Sequence, residues 1–181
     1  MPTLPDFEEE DTMVDEDAEE ERQRAPWKRD EQIEFARTCA RMKARIEEVP
    51  ADGNCLFHAL AMTCHGNNDF RALRNVAADE IQANPSFYQT YLADDPLERT
   101  AGDETTHLPS YCAGVRANKY GGDLELLALS NALHVTIHVH DCTGRRAATF
   151  VPEGKMNFPM VTLSLHKYLC KAPHYQIIEY D

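Results

Sequence analysis

The sequence predicts an α+β domain, with helices in the first two thirds and a mostly antiparallel sheet in the last third. Two observations predict it. Between about Arg29 and Leu133, apolar residues recur three and four positions apart, the spacing of one helix face. Beyond Leu133 they alternate, so the period drops to two. A chain of 181 residues is long enough for one well-buried core and short for two.

The elements follow from the N-terminus. Residues 1 to about 27 are acidic and proline-dotted, with too little apolar surface to offset ordering entropy, so a disordered tail is expected before a domain at 28–181. From Arg29 to Glu48, two sets recur at helical spacing: Ile33, Ala36 and Ala40, and Phe35, Cys39, Met42 and Ile46. Asp30 is a candidate N-cap and Pro50 ends the pattern. A second helix is expected after Asp52, through Leu56, Leu60 and Met62 to about Cys64, and a turn at residues 65–68 follows. A third spans Asp69 to Asn84 with Phe70, Leu73, Val76, Ala77 and Ile81 on one face, and a short fourth holds Phe87, Tyr88, Tyr91 and Leu92. Residues 93–106 read as a polar surface loop. Helical pattern returns at Pro109 to Lys119 and breaks at Gly121-Gly122, after which Asp123 is a candidate cap for a helix to Leu133. His134 to His140 alternates strictly as a strand, with a hairpin turn at Asp141 to Arg145 leading into Ala147 to Val151. Val161 to Leu165 and Tyr175 to Tyr180 complete the strand candidates.

Composition excludes several classes. Of the net charge of −13, −9 lies between Met1 and Ala25, where eleven acidic residues meet Arg22 and Arg24, leaving −4 for the rest. That body lacks the basic field nucleic acid requires. No apolar run approaches the roughly 20 residues of a membrane span, and the acidic start is the opposite of a secretory signal. Six cysteines at 39, 55, 64, 112, 142 and 170 contain no CxxC pair, so neither a zinc ribbon nor a secreted disulfide framework is expected. Reduced thiols in a cytoplasmic or nuclear protein are the economical reading. His138, His140 and Cys142 share a strand face with no fourth ligand evident, so no metal is expected and a helix-covered sheet face is the better reading. His58, three residues past Cys55, is assigned to packing or a polar contact. His65, His107 and His166 read as surface or turn residues, and Cys39, Cys64, Cys112 and Cys170 as small hydrophobes.

The segment Asp52-Gly53-Asn54-Cys55-Leu56-Phe57-His58 lies where a turn enters a helix. A cysteine there feels the partial positive charge and unpaired N–H groups of the helix start, and both favour thiolate. Gly53 lets the preceding amides turn toward one point, where they can hold an oxyanion. A thiolate nucleophile needs an imidazole, and eight histidines are present. His174 opens the last strand after Lys171-Ala172-Pro173, a rigid platform facing a helix terminus. On physics alone, a cysteine at a helix start is more often inert than catalytic.

Three ordered motifs add to this. Asp52 to His58, preceded by Arg45 to Pro50, resembles the nucleophile motif of the OTU (ovarian tumour) family of deubiquitinating cysteine proteases. Tyr120-Gly121-Gly122 to Ser130 resembles that family's aromatic-Gly-Gly segment and following helix, with Tyr120 where tryptophan is common. His174-Tyr175 with Ile177-Ile178 resembles its terminal histidine strand. The resemblance implies a papain-like fold, a central twisted sheet of about five strands between helical layers. It implies Cys55 as nucleophile, His174 as general base, and an oxyanion hole of Asp52, Gly53 and Cys55 amides, with Asp52 shaping that loop. Gly121 and Gly122 would lie beside the substrate tail. The family often carries Asp or Asn two residues after the histidine; here Gln176 stands there, a weaker acceptor able to orient the ring from the same strand face, with Asp52 or another acid as the alternative orienter. The implied reaction is hydrolysis after the C-terminal Gly-Gly of ubiquitin, polyubiquitin or a ubiquitin-like modifier, by a monomer without a cofactor. A ubiquitin-binding module of the same fold with an impaired site, and a cysteine hydrolase or transferase for another acyl substrate, are the alternatives.

Overall fold

The computed structural model describes residues 16–65, 69–94, 107–154 and 157–180. Among these residues six helices run α1 (Glu16–Met42), α2 (Cys55–His65), α3 (Phe70–Ala83), α4 (Pro85–Asp94), α5 (His107–Ala117) and α6 (Asp123–Leu133). Five strands run β1 (Ala44–Glu47), β2 (Thr136–His140), β3 (Arg146–Phe150), β4 (Met160–His166) and β5 (His174–Tyr180). The sheet order is β1-β5-β4-β2-β3, antiparallel throughout except for the parallel pair β2–β4. Strand periodicity reports burial and not partner direction, so the parallel pair left no mark in the pattern.

Three features differ from the sequence reading. Helix α1 begins at Glu16, within the segment expected to be a tail, whose first 15 residues lie outside the described part. The acidic run is neutralised locally: Glu21 pairs with Arg24 and Lys28, and Arg22 with Glu19. Trp27 also meets Tyr168, ring centroids 5.7 Å apart. Helix α1 then stops at Met42, where Lys43 takes a left-handed φ of 51°, and residues 44–47 pair with β5 as an edge strand. Ile46 satisfied both periods, four residues after Met42 and two after Ala44, and four residues are too few to tell a strand from a helix turn. The expected polar loop at 93–106 lies outside the described residues beyond Asp94. Gly122, and not Asp123, occupies the N-cap of α6, where its N–H donates to the Glu125 carboxylate at 2.8 Å.

The two sheet faces differ chemically. Ile137, Val139, Val161, Leu163, Tyr175 and Ile177 form one face and join Leu56, Phe57, Leu60, Leu73, Ile81, Leu126 and Leu129 in the core under α2, α3 and α6. The register puts His140, Ser164 and Gln176 in one row and His166 and His174 in the next on the opposite face. Helix α1 covers part of that face: Phe35 packs edge-on to His166 at 4.3 Å, and Glu31 accepts the Lys167 and Tyr168 amides. His166, expected at the surface, is therefore 2% exposed, its Nε2 2.9 Å from Ser164 Oγ. A single histidine ending a strand carries no sequence sign of the helix that covers it.

Burial drops the pKa of His166 from 6.5 to about 4, with His174 adding to the drop and Glu31 opposing it. The folded state then stays neutral where the unfolded chain binds a proton, so stability rises with pH between about 4 and 6.5 and is lost on acidification through that window. The contribution is on the order of 3 kcal/mol. His138, His140 and His174, all lowered first by burial, act in the same direction. Urea unfolding between pH 7 and 4 should show a shallower pH slope for His166→Gln, which keeps a polar partner for Ser164. An unchanged slope would refute the assignment.

Candidate active site

Cys55 is the first residue of α2, and the Asn54 carbonyl accepts the His58 amide at 2.9 Å, closing the first turn behind it. The preceding loop is shaped by Asp52. One carboxylate oxygen accepts the Asn54 amide at 2.9 Å and the other lies 3.0 Å from His58 Nε2. Burial alone pushes the Asp52 pKa up, but His58 and Asn54 outweigh it and the net shift is downward. Gly53 has φ +81°, a left-handed conformation that favours glycine. The Asn54 amide is spent on Asp52, whereas the amides of Gly53 and Cys55 make no hydrogen bond among the described residues. Two N–H groups of this turn are therefore left open among the described residues.

Strand β5 begins directly against this turn. The Tyr175 amide points at Cys55 Sγ, 3.5 Å away, so His174 is one residue from the sulfur's backbone partner. His174 is 3% exposed. Its pKa is lowered by burial, against the opposing influence of the Val49 carbonyl and the Asp52 carboxylate. The ring is thus kept neutral, the form that accepts a proton. Asp52 lies near enough to His174 to favour its charged form. No hydrogen bond joins Cys55 to His174 here, and none joins His174 to Gln176, although Gln176 is buried on the same strand face opposite Ser164. The structure thus gathers Asp52, Gly53, Cys55 and His174 at one junction and leaves Gln176 beside it unlinked.

Tyr120 completes the junction. Its hydroxyl donates to the Pro173 carbonyl, immediately before His174, and lies 3.9 Å from Cys55 Sγ. Burial first, then the charge of Cys55, pushes the phenol's pKa up, so it stays protonated. Its aromatic-Gly-Gly context marked the position in the sequence, but nothing there marked the hydroxyl's two partners. Gly121 does not line an open channel: it is buried, and a Cβ on it would stand 2.6 Å from Leu56 Cδ2 and 3.0 Å from the Phe57 ring. Gly122 caps α6. Gly121 is thus packed against the two residues that follow Cys55, and Gly122 serves as the N-cap of α6. The other thiols are poorer nucleophile candidates, because burial raises the pKa of Cys39, Cys64, Cys112, Cys142 and Cys170. Among the described residues no His, Cys, Asp and Glu cluster could hold a metal ion.

A family model described as OTU-like cysteine protease matches residues 50–175, a stretch that begins at the turn before Cys55 and ends just past His174. The chain belongs to this family. Ubiquitin thioesterase otu2 of Schizosaccharomyces pombe is 29% identical over 84% of this chain and 47% of that protein. Deubiquitinase OTUD6B of Xenopus laevis is 26% identical over 82% of this chain and 51% of that one. The chain therefore spans about half the length of the curated relatives it matches. Among solved structures, the OTUD1 OTU domain superposes with TM-score 0.63 at 21% identity, covering 82% of this chain and 94% of that one. An ovarian tumour domain in complex with ubiquitin gives TM-score 0.56 at 23% identity, covering 75% and 69%. These structures establish the shared OTU fold: helices on a five-stranded mixed sheet.

The tight seat of Gly121 yields a prediction. Gly121→Ala must displace Leu56 or Phe57, the residues directly after Cys55, at a cost of about 1–3 kcal/mol. Chemical denaturation should show that loss, while Gly122→Ala, whose added Cβ meets nothing nearer than Glu125 at 3.9 Å, should lose less. Equal losses would contradict the packing role.

Proposed function

We propose that this protein is a deubiquitinase, a thiol hydrolase that cleaves the isopeptide or peptide bond after the C-terminal Gly-Gly of ubiquitin or a ubiquitin-like modifier. The observation that carries the reading is the start of α2 abutting the start of β5 inside an OTU-family domain, with Cys55 Sγ 3.5 Å from the Tyr175 amide. The names of the curated relatives, ubiquitin thioesterase and deubiquitinase, support the substrate class.

In this reading His174 takes the Cys55 proton and the thiolate attacks the glycine carbonyl. The oxyanion is met by the open amides of Gly53 and Cys55, with Asp52 holding the loop that aims them. Collapse forms a thioester on Cys55 and breaks the C–N bond, and His174 returns its proton to the leaving amine. Water, deprotonated by His174, then attacks the thioester, releasing the carboxylate and restoring the thiol. Catalytic hydrogen bonds are often long in ligand-free sites and tighten with substrate, so the missing Cys55–His174 bond is compatible with this chemistry. No step calls for a cofactor. Six free cysteines support a cytoplasmic or nuclear setting, and we assign a monomer acting on ubiquitin rather than on nucleic acid or membranes. No helix among the described residues is long and apolar enough to cross a membrane.

A second reading, a ubiquitin-binding module with an impaired site, is favoured by that same missing bond and by Gln176 standing unlinked to His174. Hydrolysis of ubiquitin carrying a fluorogenic C-terminal amide decides between them. Wild type should turn over, Cys55→Ala should not, and His174→Ala should lose at least about 100-fold, the scale of general-base catalysis. Gln176→Ala should cost less than His174→Ala. Binding without turnover in wild type selects the module, and residual turnover in Cys55→Ala rejects the nucleophile.

A further inference from the structure

Helix α3 sends one cation into the core behind the nucleophile. Arg74 is 1% exposed, yet its guanidinium finds four hydrogen bonds. Nε and Nη2 both donate to Asn54 Oδ1, at 2.9 and 2.6 Å. Nη1 donates to the Val115 and Lys119 carbonyls, at 2.7 and 2.9 Å. The plane lies over the Phe57 ring, 4.2 Å from its centroid. Burial lowers the Arg74 pKa, and Glu125, Asp52 and Cys55 oppose that with negative charge.

These partners are not scattered. Asn54 immediately precedes Cys55, Lys119 immediately precedes Tyr120, and Val115 is in the last turn of α5, where the helix dipole favours a cation. One planar group therefore ties together the two segments that carry Cys55 and Tyr120. Asn54 also stands at the N-cap of α2, since its carbonyl accepts the His58 amide. An N-cap asparagine ordinarily turns its side-chain oxygen onto the amides of the first helical turn. Here that oxygen goes to Arg74 instead, and the amide nitrogen reaches back to the Asp52 carbonyl at 3.3 Å. The first-turn amides of α2 therefore receive no side-chain cap from Asn54, whose side chain instead ties the turn to Arg74.

We propose that Arg74 is a positioning residue for the reaction: through the Asn54 side chain it fixes the turn that presents the N-terminus of α2 to the thiolate and oxyanion, and by holding the Lys119 carbonyl it sets Tyr120 against Cys55. This inference rests on the proposed function for its substrate readout but not for its thiol readout. Lysine cannot replace the fork, because a single ammonium offers three donors from one point and cannot serve Asn54, Val115 and Lys119 in one plane.

The experiment is a double-mutant cycle of Arg74→Lys and Asn54→Ala in the full chain. It follows the rate of Cys55 carboxamidomethylation by iodoacetamide, located by peptide mass, together with kcat and KM on the fluorogenic ubiquitin substrate. Circular dichroism establishes which variants are folded at the assay temperature. Each single variant should slow Cys55 alkylation and lower kcat about 10- to 100-fold with KM within about threefold, and the double variant should be no worse than the worse single one, because both break the same link. Asn54→Ala leaves the cation and the core in place, so it keeps the test valid if Arg74→Lys fails to fold. Multiplying effects, or an Asn54→Ala protein with wild-type alkylation, would overturn the proposal. A wild type that fails to hydrolyse ubiquitin would remove the proposed function, and the alkylation cycle would still judge Arg74.

Discussion

The Tyr175 amide meets Cys55 Sγ at 3.5 Å, and this contact between the first turn of α2 and the opening of β5 is the constraint around which the domain is arranged. A helix start and a strand start can meet only if both are fixed from elsewhere, because each ends in unpaired backbone groups. Strand β5 is fixed by β1 on one side and β4 on the other. Helix α2 is fixed below by Leu56, Phe57 and Leu60 in the apolar core, behind by Arg74, and above by the Asp52 turn. The Tyr120 hydroxyl spans the same gap from the side, touching the sulfur and the Pro173 carbonyl.

The division of the sheet into an apolar and a polar face has consequences beyond packing. The face under α2 supplies the burial that drives folding, through Ile137, Val139, Leu163 and Ile177. The face partly covered by α1 is built from His140, Thr162, Ser164, His166, His174 and Gln176, all buried. Burying imidazoles lowers their pKa, so the face that holds His174 keeps its histidines neutral. The same burial that keeps His174 neutral, as the proposed base must be, makes the fold sensitive to acid. Function and stability share one set of side chains there.

Much of this was legible in the sequence, and the parts that were not have a common cause. Helices α2, α3 and α6 follow their apolar spacing because each lays one stripe on a single core. The Cys55 turn and the His174 strand were found from local sequence, since a Gly before a helix start and a residue opening an alternating run are local features. What escaped depends on partners distant in the chain. Arg74 sits in an amphipathic helix where a charged residue ordinarily faces water, and its acceptors at Asn54, Val115 and Lys119 are 20 to 45 residues away. Strand β1 exists because β5 offers an edge, and α1 begins at Glu16 through pairings its composition did not announce. The glycines at 121 and 122 stand out in the sequence, but the Leu56 and Phe57 side chains beneath the first and the α6 cap at the second depend on the fold.

The central claim is that Cys55, alone among six thiols, is presented to the C-terminus of ubiquitin. Intact mass after mixing the protein with ubiquitin bearing a C-terminal electrophile, followed by peptide mapping, measures it most directly. The account predicts one ubiquitin per chain, attached at Cys55 and absent from Cys55→Ala. Attachment at Cys39, Cys64, Cys112, Cys142 or Cys170, or no attachment to a folded wild-type protein, would contradict it.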